Sequence, residues 1–310
     1  MNPDPTSKTR TPQKWISTLG TLLVLLSFYY IGTQLWGYRE TLESWTPTTA
    51  AIVAVGFGII TYALANYLLA AAWIWLLRLC GEVSIDWRNL CQIYGKSQIA
   101  KYIPGNIAHI AGRHAMGRLV GVSHGHLAIA ALYEIIGLVS AALIITLVGG
   151  RSVLDQFTSI SWSIFVLPVI LIAYLSTPWI LQRFRPDTTP VSPLLMLPPL
   201  IYYALFFLVS GIALVVIGIY TESFTADSNN LIILSAFAIS WSVGFLTPGA
   251  PSGIGIREAI LILLLSPFTS DANALILALL FRLVTIGGDT VFYLISLASG
   301  GGRNKTIPLT

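Results

Sequence analysis

The sequence predicts an all-α polytopic membrane protein, on three observations: long apolar runs, scarce charge and a lopsided distribution of basic residues. Hydrophobic residues make up 55% of the 310 and charged residues only 10%, against about 25% charged in a soluble domain. Mean hydropathy is +0.78. Several runs are each long enough to cross a hydrocarbon layer of about 30 Å. Backbone groups inside that layer must be satisfied within the segment, which helices achieve. A β-barrel would need short alternating segments, and these runs do not alternate. About eight membrane helical elements are expected, including re-entrant or broken helices that an inverted repeat would generate. They form a single transmembrane helical domain at 15–300, between polar tails at 1–14 and 301–310.

The first tail carries Lys8, Arg10 and Lys14 with three prolines. The apolar run 15–36 ends in Phe28, Tyr29, Tyr30 and Trp36, an aromatic border where a signal peptide would have small residues, so a retained first span is expected. A second span lies within 48–79, where Ala50, Ala54 and Gly58 at fourfold spacing suit close helix packing. The mixed stretch 78–123 follows and holds six of the seventeen basic residues. Within it Trp87, Leu90, Cys91 and Tyr94 fall at i, i+3, i+4 and i+7, the pattern of a helix lying in the interface. Further spans are expected at 127–149, 162–181, 194–220, 231–246 and 272–299, with a shorter apolar piece at 256–266. Eleven residues of helix reach about 16 Å, half the hydrocarbon thickness. That piece cannot cross alone, and a re-entrant hairpin with the preceding span is the natural solution.

Orientation follows from counting. With the first tail inside, fourteen Lys and Arg fall on the cytoplasmic side, only Arg39 and Arg151 outside, and Arg282 within a span. Both termini are therefore expected in the cytoplasm and the chain in the cell (plasma) membrane. The net charge of +4 is accounted for by this topology rather than by nucleic acid. Cys80 and Cys91 show neither metal nor redox spacing. His109, His114, His124 and His126 cluster without an acidic or thiol ligand nearby, so no metal is expected. Nucleotide-loop and serine-hydrolase patterns are absent; no cofactor and no catalytic residue are assigned.

Two stretches break the apolar pattern alike. Lys101-Tyr102-Ile103-Pro104-Gly105-Asn106 runs on through His109 to Arg113. Pro248-Gly249-Ala250-Pro251-Ser252-Gly253 runs on through Gly255 to Arg257 and Glu258. In each, an arginine stands nine positions after the Pro-Gly proline. Proline removes a backbone donor and glycine tolerates positive φ, so both stretches should interrupt helices. Paired broken elements are the usual pointer to a transporter site. Glu134, Arg282 and Asp289 lie inside spans, where each would cost about 2.5–3.5 kcal/mol at the helix centre. They should face protein or a polar pathway. Arg282 and Asp289 are about 10.5 Å apart along their helix, so each needs partners from other helices.

At these two stretches the chain resembles the lysylphosphatidylglycerol synthase transmembrane region family, the membrane part of MprF-type proteins and their stand-alone relatives. The resemblance implies a helix bundle that handles lipids, in some members flipping an aminoacylated phospholipid, in others linked to lipid-bound sugar metabolism. The soluble aminoacyl-transfer domain of full-length synthases is not in the sequence, so aminoacylation is not expected. Ser252 stands where the pattern has glycine. The leading expectation is translocation of a phospholipid or lipid-linked anionic headgroup. Arg113 and Arg257 would meet the phosphate, with Lys101, Asn106, His109 and Glu258 around it and Glu134, Arg282 and Asp289 along the path. The alternatives are a lipid-modifying or glycosyl-transfer component and a non-catalytic partner subunit. Expected partners are membrane lipids, a lipid-synthesising or glycosyltransferase enzyme, and further copies of the chain.

Overall fold

The computed structural model describes residues 25, 29, 31–33, 35–81, 85–103, 107–149, 163–184, 191–224 and 230–299. The two polar tails, most of the expected first span, and Pro104, Gly105 and Asn106 lie outside the described residues. Among the described residues all regular structure is helical. The helices are α1 (Arg39–Ser44), α2 (Thr49–Cys80), α3 (Trp87–Gln98), α4 (Ala108–Leu119), α5 (His124–Gly149), α6 (Ser163–Phe184), α7 (Leu197–Tyr220), α8 (Asn230–Leu246), α9 (Ile256–Leu265) and α10 (Asp271–Ala298). Short 3₁₀ turns at Ile99–Tyr102, Pro193–Met196 and Pro251–Gly253 join several of them.

Among the described residues, four helices are long and apolar enough to cross a membrane: α2, α5, α7 with its preceding turn, and α10. Their apolar residues are not confined to one side. On α2, Ile52, Val53, Phe57, Ile60 and Leu64 are all more than half exposed, while Tyr62, Leu69 and Trp73 are buried. In water that outer face would be an aggregation hazard; against lipid it is the expected surface. Side-chain caps mark where several helices begin. Thr48 Oγ1 accepts from Ala51 N at 3.1 Å, and Ser270 Oγ from Asn273 N at 3.2 Å. Ser123 Oγ accepts from His126 N at 3.2 Å at the start of α5.

The centre of the bundle is α2 packed on α7 and α10, with α5 against α7 and α8. Small residues let these helices approach. A Cβ added at Gly58 would sit 3.1 Å from Val284 Cγ2, and one at Gly288 would sit 3.0 Å from the backbone of Ala63. The buried small-residue stripe of α2 is Ala51, Ala54 and Gly58. Ala50 is exposed, which corrects the expected register by one residue: at 3.6 residues per turn, a three-then-four spacing follows the packed face better than strict fourfold spacing.

Contacts at the helix termini define the two ends of the bundle. At one end Gln92 Nε2 of α3 donates to Ser299 O at 2.8 Å, and Gly81 lies against His126. At the other end Thr269 Oγ1 donates to Ser223 O at 2.7 Å, and Tyr38 OH donates to Asp271 Oδ2 at 2.9 Å. Helices α3 and α4 fold back on each other from the first end, and α8 and α9 from the second. The α3–α4 hairpin places Ser97 beside Arg113; the α8–α9 hairpin places Gly244 against Arg257. The turns of the two hairpins touch inside the bundle. The apolar face of α3 is thus covered by other helices and not left open to lipid. That face, Leu90, Cys91 and Tyr94, is buried against α2, α4 and α10, because a groove between helices selects the same i, i+3, i+4, i+7 stripe as a lipid surface does.

Candidate functional site

The α8–α9 turn departs most from regular backbone. Gly249, Gly253 and Gly255 have φ of 87°, 67° and 84°, and Ser252 sits at φ 51°. Glycine reaches this region freely, whereas Ser252 holds it against a Cβ penalty of about 1–2 kcal/mol. The turn ends where Glu258 Oε2 accepts from Gly255 N at 2.7 Å, which starts α9 and fixes the direction of Arg257. Arg282 of α10 clamps the turn from the side: its Nη1 donates to Ser252 O at 3.3 Å and its Nε lies 3.3 Å from Glu258 Oε1.

Two further ion pairs occupy the same level of the bundle. Lys101 Nζ lies 2.7 Å from Asp289 Oδ2, and Tyr102 OH donates to the same oxygen at 2.7 Å. Asp289 Oδ1 accepts from Asn66 Nδ2 at 3.3 Å, and Asn66 Oδ1 accepts from Gln98 at 3.3 Å. Arg113 Nη1 donates to both Glu134 oxygens at 2.8 and 2.6 Å, and its Nε to Ser97 Oγ at 3.3 Å. The guanidinium lies over Tyr94, 3.7 Å from the ring centroid, and Tyr94 OH donates to Glu134 Oε1 at 2.9 Å. Glu134 and Asp289 are 6% and 0% exposed, so both face the protein interior as their insertion cost requires.

Arg257 differs from the other three cations. It is 9% exposed and stacks on Trp241 at 4.8 Å. Among the described residues, no carboxylate lies within ion-pair distance and its Nε meets no acceptor. Buried charges are ordinarily paired; here Lys101, Arg113 and Arg282 each have a carboxylate and Arg257 has none. Among the described residues the buried cluster therefore holds four cationic side chains against three carboxylates. Two cavities of about 20 Å³ each flank Arg257 and share it and Trp241 as walls. One is lined by Gln98, Lys101, His109, Arg113 and Glu134, the other by Glu258, Arg282 and Thr285. Each has room for about one water molecule.

Compared with family models, with curated proteins and with solved structures, the chain matches none. The site rests on its geometry.

Of the expected site residues, Lys101, His109, Arg113, Arg257, Glu258, Glu134, Arg282 and Asp289 converge on this level. Pro248 and Gly249 form the α8–α9 turn, with Pro248 exposed. Sequence reasoning missed Asn66, Tyr94, Ser97, Gln98, Tyr102 and Trp241. Asn66 was discoverable as a lone amide in the long apolar run of α2; Tyr94 and Trp241 look like any core aromatic until their partners are known. The remaining histidines do not line the two cavities beside Arg257, although His114 borders a smaller one with Arg113 and Glu134. His114 Nε2 and His124 Nδ1 are 2.8 Å apart at the exposed α4–α5 junction, and among the described residues no group of three or more metal-ligating side chains occurs.

Proposed function

We propose that this chain is a lipid translocase that carries an anionic lipid headgroup past the seam between the two hairpin turns while the acyl tails stay in lipid. The observation that supports this reading best is the meeting, inside an apolar bundle, of two broken helix pairs that enter from opposite ends and surround a buried cluster with excess positive charge. On this reading α3–α4 and α8–α9 are re-entrant hairpins related as an inverted repeat. They complete about eight membrane elements, with both termini cytoplasmic and the protein resident in the cell membrane.

The level of the charges fits such a route. Asp289 stands nine residues from the end of α10 and Glu134 ten from the start of α5, about 14 and 15 Å of helix rise. A headgroup there would be near mid-membrane, where an unassisted charge is least tolerated. The N-termini of α4 and α9 begin at the seam, and their dipoles favour an anion there. The water-sized cavities describe a closed seam, so passage requires the hairpins to part. The resemblance carried by the two Pro-Gly stretches points the same way.

The test is purified protein in liposomes containing phosphatidylglycerol labelled with a dithionite-quenchable fluorophore. Inner-leaflet label is expected to become accessible to dithionite at a rate that scales with protein per vesicle. Label that stays as protected as in protein-free vesicles would refute the reading.

A further inference from the structure

We propose that the two cavities flanking Arg257 form a binding site for one monoanionic phosphodiester, gripped by the Arg257 guanidinium with His109 as a second donor. The choice of a phospholipid as the source of that group rests on the translocation reading; the anion site itself rests on the side chains.

Charge decides the class of ligand. The cations Lys101, Arg113 and Arg282 are met by Asp289, Glu134 and Glu258, which among the described residues leaves Arg257 without a carboxylate. One negative charge neutralises the cluster. A dianionic phosphomonoester would leave a buried negative excess, and a neutral headgroup would leave the positive one.

Polar atoms without partners decide the position. Arg257 Nε, His109 Nδ1, Gln98 Oε1 and Arg282 Nη2 are buried and meet no hydrogen-bond partner among the described residues. Three of the four are donors or, for His109, become one by choice of tautomer. His109, Gln98 and Arg257 line one cavity, and Arg282 and Arg257 the other. A planar guanidinium between them can offer two parallel N–H bonds to two oxygens of one phosphate. The Trp241 ring holds that plane, and Trp241 is itself stacked on Phe245 at 5.1 Å. His109 and Arg113 belong to the α3–α4 hairpin and Arg257 to α8–α9, so an anion between them would bridge the two hairpins. Each cavity takes one oxygen and not a whole phosphate, so binding also widens the seam.

The experiment is thermal unfolding of the purified full chain in dodecylmaltoside, titrated separately with dioctanoyl-phosphatidylglycerol, dioctanoyl-phosphatidylcholine and inorganic phosphate. Only the phosphatidylglycerol is expected to raise the midpoint saturably, by the usual linkage of binding to stability. Arg257→Gln is expected to weaken its apparent affinity at least about tenfold, and the ligand-free variant is expected to unfold no earlier than wild type, since an uncompensated charge is gone. His109→Ala is expected to weaken binding by a smaller factor. The site is overturned if phosphatidylglycerol gives no saturable shift, if phosphatidylcholine gives an equal one, or if Arg257→Gln binds as wild type; an equal shift with inorganic phosphate overturns the phosphodiester as its ligand. Should Arg257→Gln fail to fold, Arg257→Lys and His109→Ala carry the test, and wild-type affinity in both overturns it. Arg257-dependent binding without lipid movement in liposomes would remove the translocation reading and leave the site; lipid movement without such binding would do the reverse.

Discussion

Replacing Glu134 with alanine would leave Arg113, 3% exposed, buried without a counter-ion. The guanidinium would retain the Ser97 Oγ contact at 3.3 Å and its place over Tyr94, but it would lose both carboxylate contacts, and Tyr94 OH would lose its acceptor. Breaking one side of a buried pair costs about 3–5 kcal/mol. At about 2–4 °C per kcal/mol, the midpoint should fall by roughly 6–20 °C. Removing the charge from both sides, with Arg113→Met and Glu134→Leu together, should recover most of that loss, because two apolar groups need no compensation. Intrinsic tryptophan fluorescence during heating in detergent reads this directly, with Trp73 as a local reporter 5.4 Å from the Arg113 guanidinium. A fall of less than about 3 °C for Glu134→Ala, or a double variant no more stable than the single, would refute the reasoning.

Three other outcomes are expected. Gly253→Ala should destabilise by about 1–3 kcal/mol, because φ is 67° and the added Cβ would lie 2.7 Å from Arg257 Nε; Ser252→Gly, at φ 51°, should be neutral or stabilising by up to about 1 kcal/mol. Chemical denaturation of both variants checks the pair, and equal effects would contradict it. Arg113→Lys should lose the Ser97 bond and the stack on Tyr94, for about 1–2 kcal/mol, and should slow lipid movement, whereas an arginine present only to set topology would tolerate lysine. In a background with Cys80 and Cys91 replaced, single cysteines at Ser123 and Glu222 should label from opposite faces of the membrane; labelling of Ser123 from outside cells would reverse the proposed orientation.

Helix limits were legible in the sequence because span boundaries are set by where apolar runs meet polar residues. The runs expected at 127–149 and 231–246 fall within α5 and α8 to a few residues. The shortness of α9 followed from the same counting. Interior placement of Glu134 and Asp289 followed from the cost of charge in hydrocarbon. The pairing did not. Lys101 and Asp289 meet across most of the chain, and nothing local to either residue announces the other. The stripe on α3 fits an interfacial helix equally well, because amphipathicity records only that one face is apolar, and not whether lipid or protein covers it. Arg113 and Arg257 looked equivalent, each nine residues after a Pro-Gly proline. Their difference is made by Glu134, which meets one, and by Trp241, which meets the other.

On the proposed function, the buried charges line a route for a headgroup and do more than hold helices together. Replacing Lys101 with methionine and Asp289 with asparagine in one chain removes a buried pair without changing net charge, and the asparagine can still serve Tyr102 and Asn66. A pair removed together is close to neutral for stability. Dithionite accessibility of labelled phosphatidylglycerol in liposomes, measured on this variant and on wild type with their unfolding midpoints matched, separates path from scaffold. An intact fold and lipid movement slowed at least about tenfold are expected. A variant that moves lipid at the wild-type rate would contradict it.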